Sequence, residues 1–289
     1  MKQVFAYRAN KILYNFIRSN NINGIVLLPS NICKDVIEVL KYAGLTLKFL
    51  DISKDTLCID QNQIKENIES ASLLLFVHTY GTERNFDSLF SELKTIKPSL
   101  IIVDDRCLCM PELSLKTSSA DLVLYSTGEK KQVDLGKGGI GYVSESYKYE
   151  DVELEDSSCL TNDKWELDKP LFETKKQEVL KHKEKLNAIY FENLSCVNQL
   201  HNEFQNWRFN ILTDKKEQVL KALFAEGLFA SSHYAPHTYI HTYIHTYIHT
   251  YIHTAAELHK NVINLFNDLY YSEEQALRTC EIINKIIIP

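Results

Sequence analysis

No apolar run in the 289-residue chain is long enough to cross a bilayer as a helix. Its start, MKQVFAYRANKILYNF, lacks the continuous apolar stretch and small-residue cleavage site of a secretory signal. A cytoplasmic protein is therefore expected. There is no CxxC pair: the seven cysteines are odd in number and irregularly spaced, which argues for reduced, mostly buried thiols rather than a disulfide framework. There is no basic cluster either. Lys and Arg are scattered through a chain of net charge -6, which argues against nucleic acid as the main partner. What is present is ordinary globular composition, 45% hydrophobic and 24% charged. That suffices for a sizeable core, in one large domain with a smaller one.

From residue 9 to about 145 the pattern alternates. ANKILYNFIRS has helical spacing, GIVLLP is a buried strand, and CKDVIEVLKYAG is a helix ending at Gly44. LTLKFLDI, LLLFVHTYG, SLIIVDD and ADLVLYSTG read as further strands, with DQNQIKENIESA (Asp60 as cap) and NFDSLFSELKTI as helices between them. Strands apolar throughout, alternating with helices, imply an α/β fold with a mainly parallel central sheet flanked by helices. Ligands in such sheets sit beyond the carboxyl ends of the strands, so His78, Asp104, Asp105 and STGEKK are the first place to look for chemistry.

Residues 146–170 are acidic and without periodicity, and read as a connection. Beyond them come a long helix, ETKKQEVLKHKEKLNAIYFENL, a strand in WRFNILTD, a helix stopped by Gly227, a strand or loop in FASSHYAP, and two helix-like stretches, AAELHKNVINLF and SEEQALRTCEIINKII. This half has no Gly-rich phosphate loop. The expected division is a large domain over residues 1–165 and a small α/β lobe over 166–289.

Three features fall in order: Asp105 at the end of a buried strand, Lys131 five residues after Ser126, and Gly138–Gly139 seven residues after the lysine. A partly desolvated lysine can form a Schiff base with an aldehyde. A carboxylate opposite a pyridine nitrogen keeps it protonated, and a small hydroxyl can hold a phosphate. An Asp at a strand end also serves as a cap, and a loop Lys is commonly solvated, so the pattern alone leaves both readings open.

These segments resemble the DegT/DnrJ/EryC1/StrS family, sugar aminotransferases of the aspartate-aminotransferase fold that use pyridoxal phosphate (PLP). LLPSNICKDVIEVLKYAGLTLKFLDI is similar to the family's Pro-Ser, helix, Ala-Gly, strand-Asp stretch, and FVHTYG to its His-x-Tyr-Gly strand end. LIIVDD is similar to the strand of the pyridine-nitrogen aspartate, and LYSTGEKKQVDLGKGG to the Schiff-base segment. GLFASSHYAP resembles its His-Tyr-Pro loop, and AAELHKNVINLF its closing helix. The resemblance implies that Lys131, rather than Lys130, holds PLP and moves the proton. It also implies that Asp105 stabilises the protonated pyridine ring, Ser126 contacts the phosphate, Arg8 shares that contact, and His78 supports the ring. It further implies nucleotide-sugar and amino-acid substrates, with glutamate as donor, and a homodimer with sites at the interface.

The sequence departs from the family pattern at three places: Cys33 stands where an aromatic stacks on the ring, Leu108 where a Gln is usual, and Tyr7 where a Gly lets amides approach the phosphate. The second reading is accordingly a catalytically degenerate relative acting as a binding or scaffold protein.

Residues 237–254 repeat His-Thr-Tyr-Ile in register. As a helix they would align histidines at i, i+4 spacing; as a strand they would alternate His/Tyr against Thr/Ile; as an interaction module they specify no partner. The genetic code offers a fourth account. A repeated CATA tetranucleotide reads CAT ACA TAC ATA, so slippage by one unit would shift the frame, the mark of a phase-variable gene suited to surface-polysaccharide biosynthesis. No metal site is expected.

Overall fold

The structure is a computed structural model, and it describes residues 1–115, 117–154, 160–237 and 252–288. Its large sheet has seven strands: β1 (Lys2–Ala6), β2 (Ile25–Pro29), β3 (Thr46–Leu50), β4 (Ala71–Val77), β5 (Ile101–Asp105), β6 (Leu122–Ser126) and β7 (Gly139–Val143). The spatial order is β1-β7-β6-β5-β4-β2-β3. Strands β3, β2, β4, β5 and β6 run parallel, and β7 is antiparallel to both β6 and β1. The mainly parallel sheet read from the sequence is thus present, with an antiparallel edge pair.

Helices α1 (Ala9–Ser19) and α2 (Lys34–Tyr42) cover one face, and α3 (Gln61–Asn67) and α4 (Asp87–Ile96) the other. Strand side chains alternate between the faces. Leu73, Leu75 and Val103 therefore join the α1/α2 core, while Leu74, Phe76 and Ile102 join the α3/α4 core. Asp60 caps α3 as read, its carboxylate accepting from the backbone N–H groups of Asn62 and Gln63 at 2.9 and 3.0 Å.

The stretch after β7 is held along α1. Lys11, only 3% exposed, donates from Nζ to the Val152 carbonyl and lies 3.3 Å from Asp151, and Asn15 donates to Tyr149 and Asp151. Helix α5 (Lys169–Asn193) then starts with Pro170 in its first turn and Asp168 as cap.

A second sheet of three antiparallel strands follows, β8 (Phe209–Leu212), β9 (Ala230–Ser231) and β10 (Val262–Leu265) in the order β8-β10-β9, packed with α5, α6 (Lys216–Ala225) and α8 (Glu273–Ile287). The stretch AAELHKNVINLF is a helix only in part. Helix α7 (Thr254–Asn261) ends where VINL begins, and VINL is the central strand β10, buried at every position. A four-residue apolar run satisfies either period, and pairing on both sides settles it as a strand.

Helix α7 is capped from far away in sequence. The buried Asp51 carboxylate accepts from the backbone N–H groups of His253, Thr254 and Ala255 at 2.8–2.9 Å, beside its own neighbour Ile52. His237 is also tied to the large sheet, donating from its backbone to the Ser30 carbonyl and stacking on Phe49. The repeat between them, residues 238–251, lies outside the described residues.

Candidate functional site

The carboxyl ends of β4, β5 and β6 finish at one edge of the sheet. Val77 pairs with Asp105, and Ser126 pairs with Gly139 at the start of β7. Beyond that edge lies a cavity of about 330 Å³, within the size range of small-ligand sites. Arg8, Cys33, Asp105, Ser126 and Lys131 all line it. Five of the six positions singled out in the sequence thus share one wall, although they span more than 120 residues of chain.

Asp105 reaches the cavity by strand alternation. It lies on the same face as Val103 and Val77, toward α1 and α2. Its Oδ1 accepts from the Cys107 backbone N–H at 2.9 Å, which fixes the carboxylate as the chain turns out of β5. Asp104, one residue earlier, faces the other way. It is fully buried between Arg106 Nε at 2.7 Å and His78 Nε2 at 2.8 Å.

His78 therefore does not line the cavity. Its ring packs against Phe76 and Phe86, and its Nδ1 lies 2.7 Å from the Thr82 carbonyl. Both ring nitrogens lie within hydrogen-bond distance of oxygen atoms. The period of two that brings Asp105 forward sends His78 and Asp104 to the back, where they brace the strand ends.

Lys131 sits half-buried in the loop between β6 and β7. Its backbone N–H donates to the Gly128 carbonyl at 3.2 Å, and the next side chain, Gln132, donates to the Leu108 carbonyl at 2.8 Å. Lys130 takes a left-handed φ of 60°, and its N–H is bound by Asp134. Ser126 Oγ accepts from the Gly128 N–H at 3.3 Å, at the mouth of the same loop.

The glycine pair is required by close approach. A Cβ on Gly138 would lie 2.5 Å from the Trp165 ring, and one on Gly139 would lie 2.4 Å from the Ala9 backbone nitrogen. The first turn of α1 thereby reaches the cavity. Its N-cap residue, Arg8, is exposed, and the Arg8 side chain makes no capping hydrogen bond. A helix start with an arginine beside it is a ready anion site. Tyr7 does not enter the cavity wall; its carbonyl accepts from the Gly138 N–H, and Lys137 Nζ lies 5.4 Å over its ring. Cationic Arg8, Lys130, Lys131 and Lys137 line the cavity against anionic Asp35, Asp105 and Glu129, a local reversal of the chain's acidic balance.

The structure adds residues with little signal in the sequence. Asn31 forms part of the wall, and its Oδ1 is buried without a hydrogen-bond partner among the described residues. A bound hydroxyl would satisfy it. Cys107 also lines the cavity, and burial, then the nearby Asp105 charge, push its thiol well above the usual range, so it stays protonated. Tyr234 closes one side; burial raises its phenol far beyond the ordinary value. Its signal was the SSHYAP loop. Cys33 and Leu108, two of the departures from the family pattern, both line the cavity. A carboxylate, a free lysine, a hydroxyl and an arginine at a helix start suit a phosphorylated pyridine aldehyde in charge and donor type. Among the described residues, no group of three or more His, Cys, Asp or Glu is placed to hold a metal.

Residues 11–110 match the sequence profile of the DegT/DnrJ/EryC1/StrS aminotransferase family. No curated protein matches the chain in sequence. Several solved structures share its fold. A DegT/DnrJ/EryC1/StrS aminotransferase from Brucella abortus is 14% identical, with a TM-score of 0.75 over 99% of this chain and 86% of that one. NtdA from Bacillus subtilis, solved with bound cofactor PMP, is 17% identical, with a TM-score of 0.75 over 98% of this chain and 74% of that one. DesI, solved in the presence of its TDP-sugar product, is 17% identical, with a TM-score of 0.78 over 99% of this chain and 80% of that one. Residues 11–110 thus resemble the DegT/DnrJ/EryC1/StrS aminotransferases in sequence, and nearly the whole chain shares the fold of the solved structures named.

Proposed function

We propose that this chain is a PLP-dependent aminotransferase that moves an amino group from an amino acid, glutamate by family habit, to a keto-sugar carried on a nucleotide. The observation that carries the reading is the convergence of Lys131, Asp105, Ser126 and Arg8 on one cavity at the carboxyl edge of the sheet. PLP bound there supplies an electron sink for the charge left when a donor loses its α-proton. Lys131, on the cavity wall, would anchor the cofactor and then shuttle that proton. Asp105 would hold a proton on the ring nitrogen of the bound cofactor. Ser126, Arg8 and the start of α1 hold the phosphate. Asn31 Oδ1 would accept from a hydroxyl of the bound cofactor.

The TDP-sugar product of DesI supports a nucleotide-linked acceptor. The large domain, residues 1–165, would hold the cofactor and the lobe from 166 onward would close over it, in a cytoplasmic homodimer serving surface-polysaccharide synthesis. The His-Thr-Tyr-Ile tract belongs to a phase-variable gene in this reading; mixed codons across the tract would exclude that part.

One experiment tests the core of the reading: the absorbance spectrum of the purified protein with PLP, beside Lys131→Ala. A visible band of lysine-bound cofactor, absent in the variant and bleached by an amino donor, is the expected result. A folded wild type without the band would instead favour the second reading, a degenerate relative, on the ground of Cys33 and Leu108 at the cavity wall.

A further inference from the structure

Trp207 lies outside the cavity wall and belongs to the segment that enters β8. It is 6% exposed, yet its single polar atom has a long-range partner: the indole Nε1–H donates to the carbonyl of Lys130 at 3.2 Å. That carbonyl belongs to the peptide joining Lys130 to Lys131. The peptide unit is planar, so its orientation is set by what holds its two ends. Trp207 holds the oxygen, and the Gly128 carbonyl holds the Lys131 N–H at 3.2 Å. Together they fix the plane from which the Lys131 side chain departs.

The indole itself is locked. Its ring lies parallel to Tyr80 (2° between planes) and to Tyr234 (11°), each at 6.4 Å between centroids. Its backbone N–H donates to the Tyr80 carbonyl at 3.2 Å. Its own carbonyl accepts from the buried Lys183 Nζ at 3.0 Å. Tyr80 in turn donates from its hydroxyl to the His233 carbonyl at 2.6 Å, and the next residue, Tyr234, lines the cavity. The small lobe thus reaches the Lys131 loop through one rigid aromatic stack.

We propose that Trp207 is a positioning residue for Lys131: its indole N–H sets the Lys130–Lys131 peptide plane and so aims the lysine ammonium into the cavity. The inference rests on the reading of Lys131 as the cofactor-bearing lysine.

The test uses Trp207→Phe, which keeps an aromatic ring in the stack and removes the N–H. In the cofactor-free protein, amide hydrogen exchange of a peptide spanning Lys131 is expected to rise about fivefold, the worth of one ordinary hydrogen bond, with β4 and β8 unchanged. In a PLP titration the variant is expected to bind about fivefold more weakly, with a shifted pH midpoint of the visible band. A merely structural tryptophan would alter melting without moving local exchange or that midpoint. Unchanged exchange at Lys131 in a folded Trp207→Phe protein overturns the inference. A wild type with no PLP band overturns the functional reading instead, while the exchange measurement still decides what Trp207 holds. If Trp207→Phe does not fold, benzothienylalanine at position 207, with sulfur in place of N–H, is compared by the same two measurements and the same outcomes decide.

Discussion

Replacing Gly139 by Ala puts a methyl group where the sheet edge meets the first turn of α1. The new Cβ would lie 2.4 Å from Ala9 N, 2.5 Å from Ala9 Cα and 2.7 Å from the Arg8 carbonyl carbon, all backbone atoms. Ordinary contact would require a retreat of about 1 Å. No side chain can swing aside, so either β7 or the start of α1 must move. Overpacking of this kind costs roughly 1–3 kcal/mol. Arg8 and the helix start move with it, and these are the groups assigned to the phosphate. Losing one charge-assisted contact of about 2 kcal/mol weakens PLP binding roughly 30-fold. Gly44→Ala is the control: its φ of +90° penalises a side chain, but nothing lies within 4 Å of the new atom and it is not part of the cavity wall. Its left-handed backbone should cost roughly 1–2 kcal/mol without touching binding. Denaturant unfolding and PLP titration of both variants check this. A Gly139→Ala protein with wild-type stability and affinity would refute the close approach and the role assigned to the α1 terminus.

Two further outcomes follow from buried charges. Asp51→Ala removes the acceptor of three backbone N–H groups at the start of α7 and should cost about 2 kcal/mol in unfolding free energy, with amide exchange rising first in residues 252–261; an unchanged melting curve would contradict it. Lys183 is buried, and burial, then the neighbouring Arg208 charge, bring its ammonium down to about 7. The unfolded chain, with its lysine near 10.5, binds the extra proton between those values, so wild-type stability should rise with pH from about 7 to 10.5 relative to Lys183→Met. The limiting slope is roughly 1.4 kcal/mol per pH unit, and the penalty is at its full value below pH 7. Parallel pH-stability profiles for the two proteins would sink this assignment.

The parallel core was legible because most of its strands are short apolar runs that alternate with helices of plain 3.6-residue period, and local pattern is enough to specify both. The lysine loop was read through its resemblance to a family's Schiff-base segment, since its spacing alone left both readings open. Ser126, Lys131 and Gly138–Gly139 lie within one short segment, and their spacing reflects a local backbone path. Cap residues such as Asp60 are local too.

What the tertiary structure alone decided is whatever depends on partners far along the chain. VINL could be helix or strand until β8 and β9 flanked it. The strand pair β1 and β7 closes the sheet edge through registers between residues 2–6 and 139–143, which no window of sequence contains. Asp51 looks like an ordinary strand-end acid, and becomes a helix cap only when a helix 200 residues later docks on it. His78 sits at the carboxyl end of the sheet, as its position in the sequence implied, but the direction of its side chain follows from strand alternation and the packing of Phe76 and Phe86, and it points away from the cavity. Trp207 gives no sign in the sequence of its hold on Lys130. Period and spacing are written locally in a chain; which face a side chain serves, and what it holds, is written only where distant segments meet.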